Sequence, residues 1–385
     1  MIAYNKTWLA NLRLKEAFDN DFRQGRITVA EFAAIKENYP SGFYTPTILA
    51  RVGLFILTGV IVLFGDGILS LMFVGSSAIT RPVWTIILGT FSYGALEIMV
   101  NGKHHYRSGV DDALLFFTAV LLIGGAAVAL YDSGENYLAL SGVAFVLSLY
   151  LTARFADLLM ASLYCISVLA ILFFGLERIG GAGLSAMPFI MMIVSGLIYC
   201  LGYKFGRDKA LADYENCFTI SQIVGLLAFY ASGNYYAIQN LSNEISGTAK
   251  PISFAPFFWA WSMLLPLVYL ACGVWRKDVI LLRIGLLLIA AAALTFRNYY
   301  HVLPVDAMLT ISGVVILSLV YALMRYLKTP KHGFTVAEPD DAHLMDQLKI
   351  ESLAIAETFS HAPATPDKSR FGGGDFGGGG SSGKF

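Results

Sequence analysis

The chain has 385 residues, 56% of them hydrophobic and only 14% charged, against about 25% charge in an ordinary soluble domain. Its 27 basic and 27 acidic residues balance, so it lacks the basic excess that marks a nucleic-acid partner. Four cysteines (Cys165, Cys200, Cys217, Cys272) fall in or beside apolar runs with no CxxC spacing, which argues for buried apolar thiols and against a disulfide framework or a zinc site.

Residues 1–47 are polar with a helical pattern. Trp8, Leu9, Leu12 and Phe18 recur at roughly helical spacing, and Gly25 follows as a residue that tolerates the left-handed turn ending a helix. Thr28-Val29-Ala30-Glu31 is a capping-box pattern: hydroxyl and carboxylate satisfy unpaired backbone donors at the start of a second helix. That helix carries Phe32 and Ile35 and stops before Pro40, so a helical hairpin precedes the first apolar run. No apolar stretch follows a short basic one at the N-terminus, so the first apolar segment is expected to remain as an anchor.

The hairpin stretch from Arg23 to Lys36 carries Gly25-x-Ile27-Thr28-x-x-Glu31-Phe32-x-x-x-Lys36. It resembles the short helical module called SHOCT. It is also similar to the N-terminal segment of uncharacterised multi-pass bacterial membrane proteins of the domain-of-unknown-function kind, and its place ahead of the apolar segments favours that second comparison. Neither resemblance implies an activity.

From Ile48 onward ten apolar segments lie near 48–72, 82–100, 111–131, 137–153, 157–176, 185–204, 217–237, 254–275, 279–296 and 303–325. Each approaches the roughly 20 residues that match a hydrocarbon thickness of about 30 Å. The expected fold is an all-α polytopic transmembrane helix bundle at 48–326, embedded in a lipid bilayer. The fourth and fifth segments are separated only by Arg154, Phe155 and Ala156, and their separation fixes the topology of everything after them. With residue 1 inside, the short inner loops hold Lys103, Arg107, Arg154, Lys204, Arg207, Lys209, Arg276 and Lys277, eight basic residues; the outer loops hold Arg81, Arg178, Lys250 and Arg297, four. Positive charge favours the cytoplasm, so both ends of the chain are expected there, in an inner (cytoplasmic) membrane. Beyond the last segment, 327–360 is a polar cytoplasmic stretch with an amphipathic helix at 341–359, and 361–385 is a Gly-rich tail that cannot bury a core. Such tails with Phe are similar to those ending several families of bacterial membrane proteins.

Ionisable groups within membrane segments mark functional sites by default. Asp66, between Gly65 and Gly67, lies toward the outer end of the first segment, where two glycines loosen a helix and invite a break. Glu97 and Arg283 lie at equal depth near the inner ends of their segments and form an expected ion pair, unless each reaches separately for the headgroups. The densest polar stretch joins the last two segments: Arg297, Asn298, Tyr299, Tyr300, His301 and Asp306. Two further outer ends, Tyr131 to Tyr137 and Tyr230 to Tyr236, share a Tyr-x-Ser-Gly-Asn-Tyr pattern if one residue is inserted. Asp66, Arg297, Asn298, Tyr299, Tyr300, His301 and Asp306 are thus the expected lining of a pocket for a small molecule or ion near the outer face. The competing account is an aromatic belt, which belongs at the same level.

No catalytic set is assigned. Asp66 and Asp132 resemble the aspartates of intramembrane aspartyl proteases, but in reversed order and without the GxGD pattern. His104-His105 has no third ligand spaced for a metal and reads as a solvated loop. There is no phosphate-binding P-loop and no Gly-x-Ser-x-Gly elbow. No metal or cofactor is expected. Two functions remain: binding or transport of a small molecule at the outer polar site, or a membrane-anchored scaffold or sensor whose hairpin and C-terminal helix engage a cytoplasmic protein.

Overall fold

The computed structural model describes residues 2–23, 25–71, 80–131, 136–246 and 254–300, with scattered helical positions between 307 and 325. Among the described residues the chain is helical apart from turns and one isolated bridge between Tyr44 and His105. The expected helix at 341–359 and the Gly-rich tail lie outside the described residues.

Both helices of the hairpin form as their termini dictate. α1 (Lys6–Arg23) is followed by Gly25 at φ 71°, whose N–H donates to the Phe22 carbonyl at 3.0 Å. At that φ a Cβ is strained, which is why glycine stands there. α2 (Val29–Asn38) opens on the capping box: the Thr28 hydroxyl accepts from the Glu31 N–H, and the Glu31 carboxylate accepts from the Thr28 N–H at 2.8 Å.

The rest of the described chain runs α3 (Ile48–Leu71), α4 (Thr80–Glu97, continued by a π turn at Ile98–Gly102), α5 (Val110–Tyr131), α6 (Tyr137–Phe155), α7 (Leu158–Ile179), α8 (Gly181–Phe205), α9 (Glu215–Ala231), α10 (Tyr235–Ser246), α11 (Ala255–Arg276) and α12 (Val279–Tyr300). Eight of these, all but α9 and α10, are long and apolar enough to cross a membrane. The segment expected at 303–325 falls mostly outside the described residues.

The narrow break between the fourth and fifth segments is present. Ala156 adopts the left-handed conformation (φ 50°) and ends α6, and the Asp157 side chain accepts from the Met160 N–H at 2.9 Å to start α7. α6 and α7 then pack along each other as a hairpin. The segment expected at 217–237, by contrast, is two helices. α9 stops at Ala231, and Asn234 starts α10 by accepting from the Ala237 N–H at 3.1 Å. At 1.5 Å per residue, the 17 residues of α9 reach only about 26 Å.

Sequential helices pack in pairs: α4 with α5, α6 with α7, α8 with α9 and α11 with α12. Lipid tails are as apolar as leucine, so close approach, more than the hydrophobic effect, drives these contacts. Gly225 shows how close: a Cβ there would lie 2.8 Å from the Tyr199 backbone nitrogen and 3.0 Å from the Ser195 carbonyl oxygen. Buried Thr118, Ser148, Ser221 and Ser262 donate to carbonyls one turn back, which satisfies each hydroxyl within its own helix.

Residues 2–46, here the leader, cover one end of the bundle, the leader face. Ala3 N–H donates to the Arg154 carbonyl at 2.7 Å, Tyr44 N–H donates to the His104 carbonyl at 3.0 Å, and Arg13 pairs with Asp213. Tyr4 and Leu9 are buried in one core with Leu96, Leu114, Leu115, Leu151, Phe155 and Met160. A second core joins α9, α11 and α12 through Leu226, Tyr230, Leu265, Tyr269, Ile284 and Leu288. The opposite end of the bundle is the far face.

Candidate functional site

The polar residues singled out in the sequence part company in the structure. α3 runs unbroken through Gly65-Asp66-Gly67, because a carboxylate between two glycines costs helical propensity without removing any backbone hydrogen bond. Asp66 is half-exposed and makes no hydrogen bond or ion pair with the described residues. Arg297 and Tyr299 occupy the last turn of α12. Tyr299 meets Tyr235 edge-on at 5.1 Å and Trp259 at 5.4 Å, and Tyr235 stacks on Trp259 at 4.9 Å. Asn298 and Tyr300 belong to α12, but their side chains, like His301 and Asp306 as a whole, lie outside the described residues. No contact joins Asp66 to the Tyr235–Trp259–Tyr299 cluster.

The repeated Ser-Gly-Asn-Tyr element has a local cause. Asn136 and Asn234 each cap a helix, accepting from Ala139 N–H at 3.2 Å and Ala237 N–H at 3.1 Å. Asparagine is a preferred N-cap because its side-chain oxygen satisfies a free N–H of the first turn. Asn234 does more. Its amide donates to the Tyr230 hydroxyl at 3.0 Å and to the Thr295 hydroxyl at 3.1 Å, tying α9, α10 and α12 together at one buried point.

The ion pair expected for Glu97 is formed with a different arginine. Glu97 accepts from Nε and Nη2 of Arg154, both at 3.0 Å, and from the Tyr93 hydroxyl at 2.7 Å. Equal depth pointed to Arg283, but depth does not choose neighbours. Arg283 is on α12, which packs against α11 and α9, while Arg154 is carried by α6 to the end of α4.

A further cavity is lined by residues outside the expected pocket set. A groove of about 300 Å³ lies at the far face between α7, α8 and α10. Phe173, Leu184, Met187, Pro188 and Met191 form its floor, and Ala237, Ile238, Leu241 and Ser242 of α10 form its cover. No lining side chain is charged. Ser232, at the rim, already donates its hydroxyl to the Ala228 carbonyl at 2.7 Å. Pro188 has no N–H to return to the Leu184 carbonyl, so the groove wall includes a carbonyl short of its usual helical donor. The signal was present in the sequence. Ala237, Ile238, Leu241 and Ile245 recur at helical spacing opposite Gln239, Asn240, Asn243 and Glu244.

A second, smaller chamber of about 40 Å³ lies under the leader. It is lined by Tyr4, Arg51, Tyr106, Arg107, Asp111, Asp112 and Asp157 among others. Asp111 accepts from the N–H groups of Arg107 and Ser108, each at 2.8 Å, and from the Ser108 hydroxyl. Asp112 pairs with Arg51 at 2.8 Å. Burial raises the Asp157 carboxyl above the usual carboxylate range, although the N–H groups of α7 and the charge of Arg107 work against the rise. Burial also pushes the Tyr4 hydroxyl well up. The loop expected to be solvated leaves His104 exposed and His105 partly so, and it also seats the leader. Trp8 sits edge-on to His104 at 5.0 Å, and Tyr4 edge-on to Tyr106 at 4.9 Å. Comparison with known protein families, curated proteins and solved structures yields no match to this chain.

Proposed function

We propose that this protein binds a single-chain amphiphile drawn from the bilayer, in the far-face groove between α7, α8 and α10. The observation that carries this reading is the cover. α10 is amphipathic, and its apolar residues Ala237, Ile238 and Leu241 line a cavity where close packing against protein would otherwise be expected. An amphipathic helix at the end of a set of spans occupies the interface, with its apolar side toward the acyl region. The lining offers apolar contact and the flexible side chains Met187 and Met191, which adapt to irregular chains. A volume of about 300 Å³ is at the lower end of the range for small-molecule sites. In the same proposal the protein is a multi-pass protein of the cytoplasmic membrane with the leader inside, as the excess of basic residues in the leader-side loops favours.

The test is photocrosslinking of a diazirine-bearing fatty acid to the full chain in nanodiscs. Labelling is expected on α8 and α10, and Ala237→Trp or Met191→Trp, which fill the groove, should abolish it without a change in unfolding temperature. Labelling that is spread over all lipid-facing helices, or unchanged in both variants, refutes the reading. A second reading, the scaffold or sensor, is favoured by α2, which buries no residue and leaves Val29 72% exposed. A pull-down in which α2 surface variants keep every partner removes it.

A further inference from the structure

The leader closes over more negative than positive charge. Asp111, Asp112 and Asp157 line the small chamber with two arginines, Arg51 and Arg107. Asp111 takes three donors of its own turn, and Asp112 pairs with Arg51, although burial and the neighbouring carboxylates still hold the Asp112 carboxyl up. Asp157 has the N–H groups that open α7 and the more distant charge of Arg107, but no ion pair among the described residues. Arg107, the remaining cation, has no carboxylate within ion-pair distance among the described residues and lies 5.4 Å from the Tyr106 ring. Tyr4, only 8% exposed, lines the chamber, and the Cys217 thiol of α9 lies 3.7 Å from the Asp157 carbonyl. Asp157 keeps only part of its surface in water; holding an excess carboxylate there beside two others is costly, and a group in that position takes up a proton instead.

We propose that the chamber is a proton-binding site, and that Asp157 takes up the proton when the leader closes. The volume admits about two or three waters, so the site exchanges protons without opening to bulk. The sign follows from the direction of the Asp157 shift. Its carboxyl titrates higher in the closed state than when the leader is off and water reaches it. Closure is then favoured below the ordinary aspartate range and weakens as the pH rises through the raised value. Three other titratable groups lie at this seat: Glu16 of the leader itself, whose carboxyl burial also raises and which faces Arg107, and His104 and His105 in the docking loop.

The experiment is hydrogen–deuterium exchange of residues 2–23 in full-length protein in nanodiscs, from about pH 8 down to about pH 5, corrected for intrinsic exchange. Protection of the leader is expected to rise on acidification by up to about tenfold per pH unit, the limit for one proton. Asp157→Asn, which keeps the cap but carries no charge, should give high protection at every pH. Arg107→Gln, which removes the uncommitted cation, should move the transition to higher pH. His104→Gln with His105→Gln should leave the slope in place. A flat or inverted wild-type profile refutes the proposal. So does a slope retained in Asp157→Asn, lost with the two histidines, or unshifted in Arg107→Gln.

Discussion

Glu97 shows what one side chain can carry at the end of a span. Its two oxygens receive Arg154 in a paired arrangement, with the Tyr93 hydroxyl as a third donor and the Tyr150 hydroxyl 2.7 Å further on. The pair sits where α4 gives way to its π turn, so a local change of helical hydrogen bonding and a charge cluster coincide. Glu97→Gln is expected to lower stability by about 1–3 kcal/mol, the range for a lost hydrogen bond to a charged group. Thermal unfolding in detergent measures it. The exchange Glu97→Arg with Arg154→Glu should recover part of the loss, which a cost arising from the π turn alone would not allow. That a charge at Glu97 needed a partner was legible in the sequence. Which partner was not, because that depends on which helices become neighbours.

At the scale of the element, α10 depends on one residue. Asn234 both caps it and donates to Tyr230 and Thr295. Asn234→Ala removes the cap, worth about 0.5–2 kcal/mol, and leaves two buried hydroxyls short of a donor. Faster amide exchange through Tyr235–Ser246 is expected, with little change in α7 and weaker retention of the fatty acid probe. Exchange that is equal in both proteins would show that α10 is held by its apolar contacts instead. The Asn-Tyr repeat was visible in the sequence as a pattern. Its meaning is not legible there, because capping, an aromatic belt and ligand binding call on the same residue types. The covering helix was hidden because the expected segment at 217–237 ran through α9 into the first three residues of α10 and stopped there.

Across the whole molecule, eight helices with membrane-spanning length and composition match eight of the ten expected segments, and even the narrow break at Arg154–Ala156 is where the sequence placed it. Hydropathy reports burial in lipid directly, so spans are legible one at a time. The leader's docking was not legible, because it depends on loops far along the chain. Sidedness is open to a direct test. A single cysteine at Ser41 should label only from the cytoplasm and one at Arg178 only from outside, in a chain whose native cysteines are replaced. Labelling of both from one side contradicts the alternating arrangement of α3 to α7.

The Arg13–Asp213 contact has a consequence for synthesis. Its residues are 200 apart in the chain, and ribosomes add about 5–20 residues per second. The leader therefore emerges about 10–40 s before the loop that completes its seat. The other seats of the leader are made sooner: Trp8 meets Phe43 and His104, and Tyr4 meets Phe43, Tyr106 and Phe155. Arg13–Asp213 is therefore the last of these contacts that synthesis permits, and the leader's seat is completed from the first-made partners to the last.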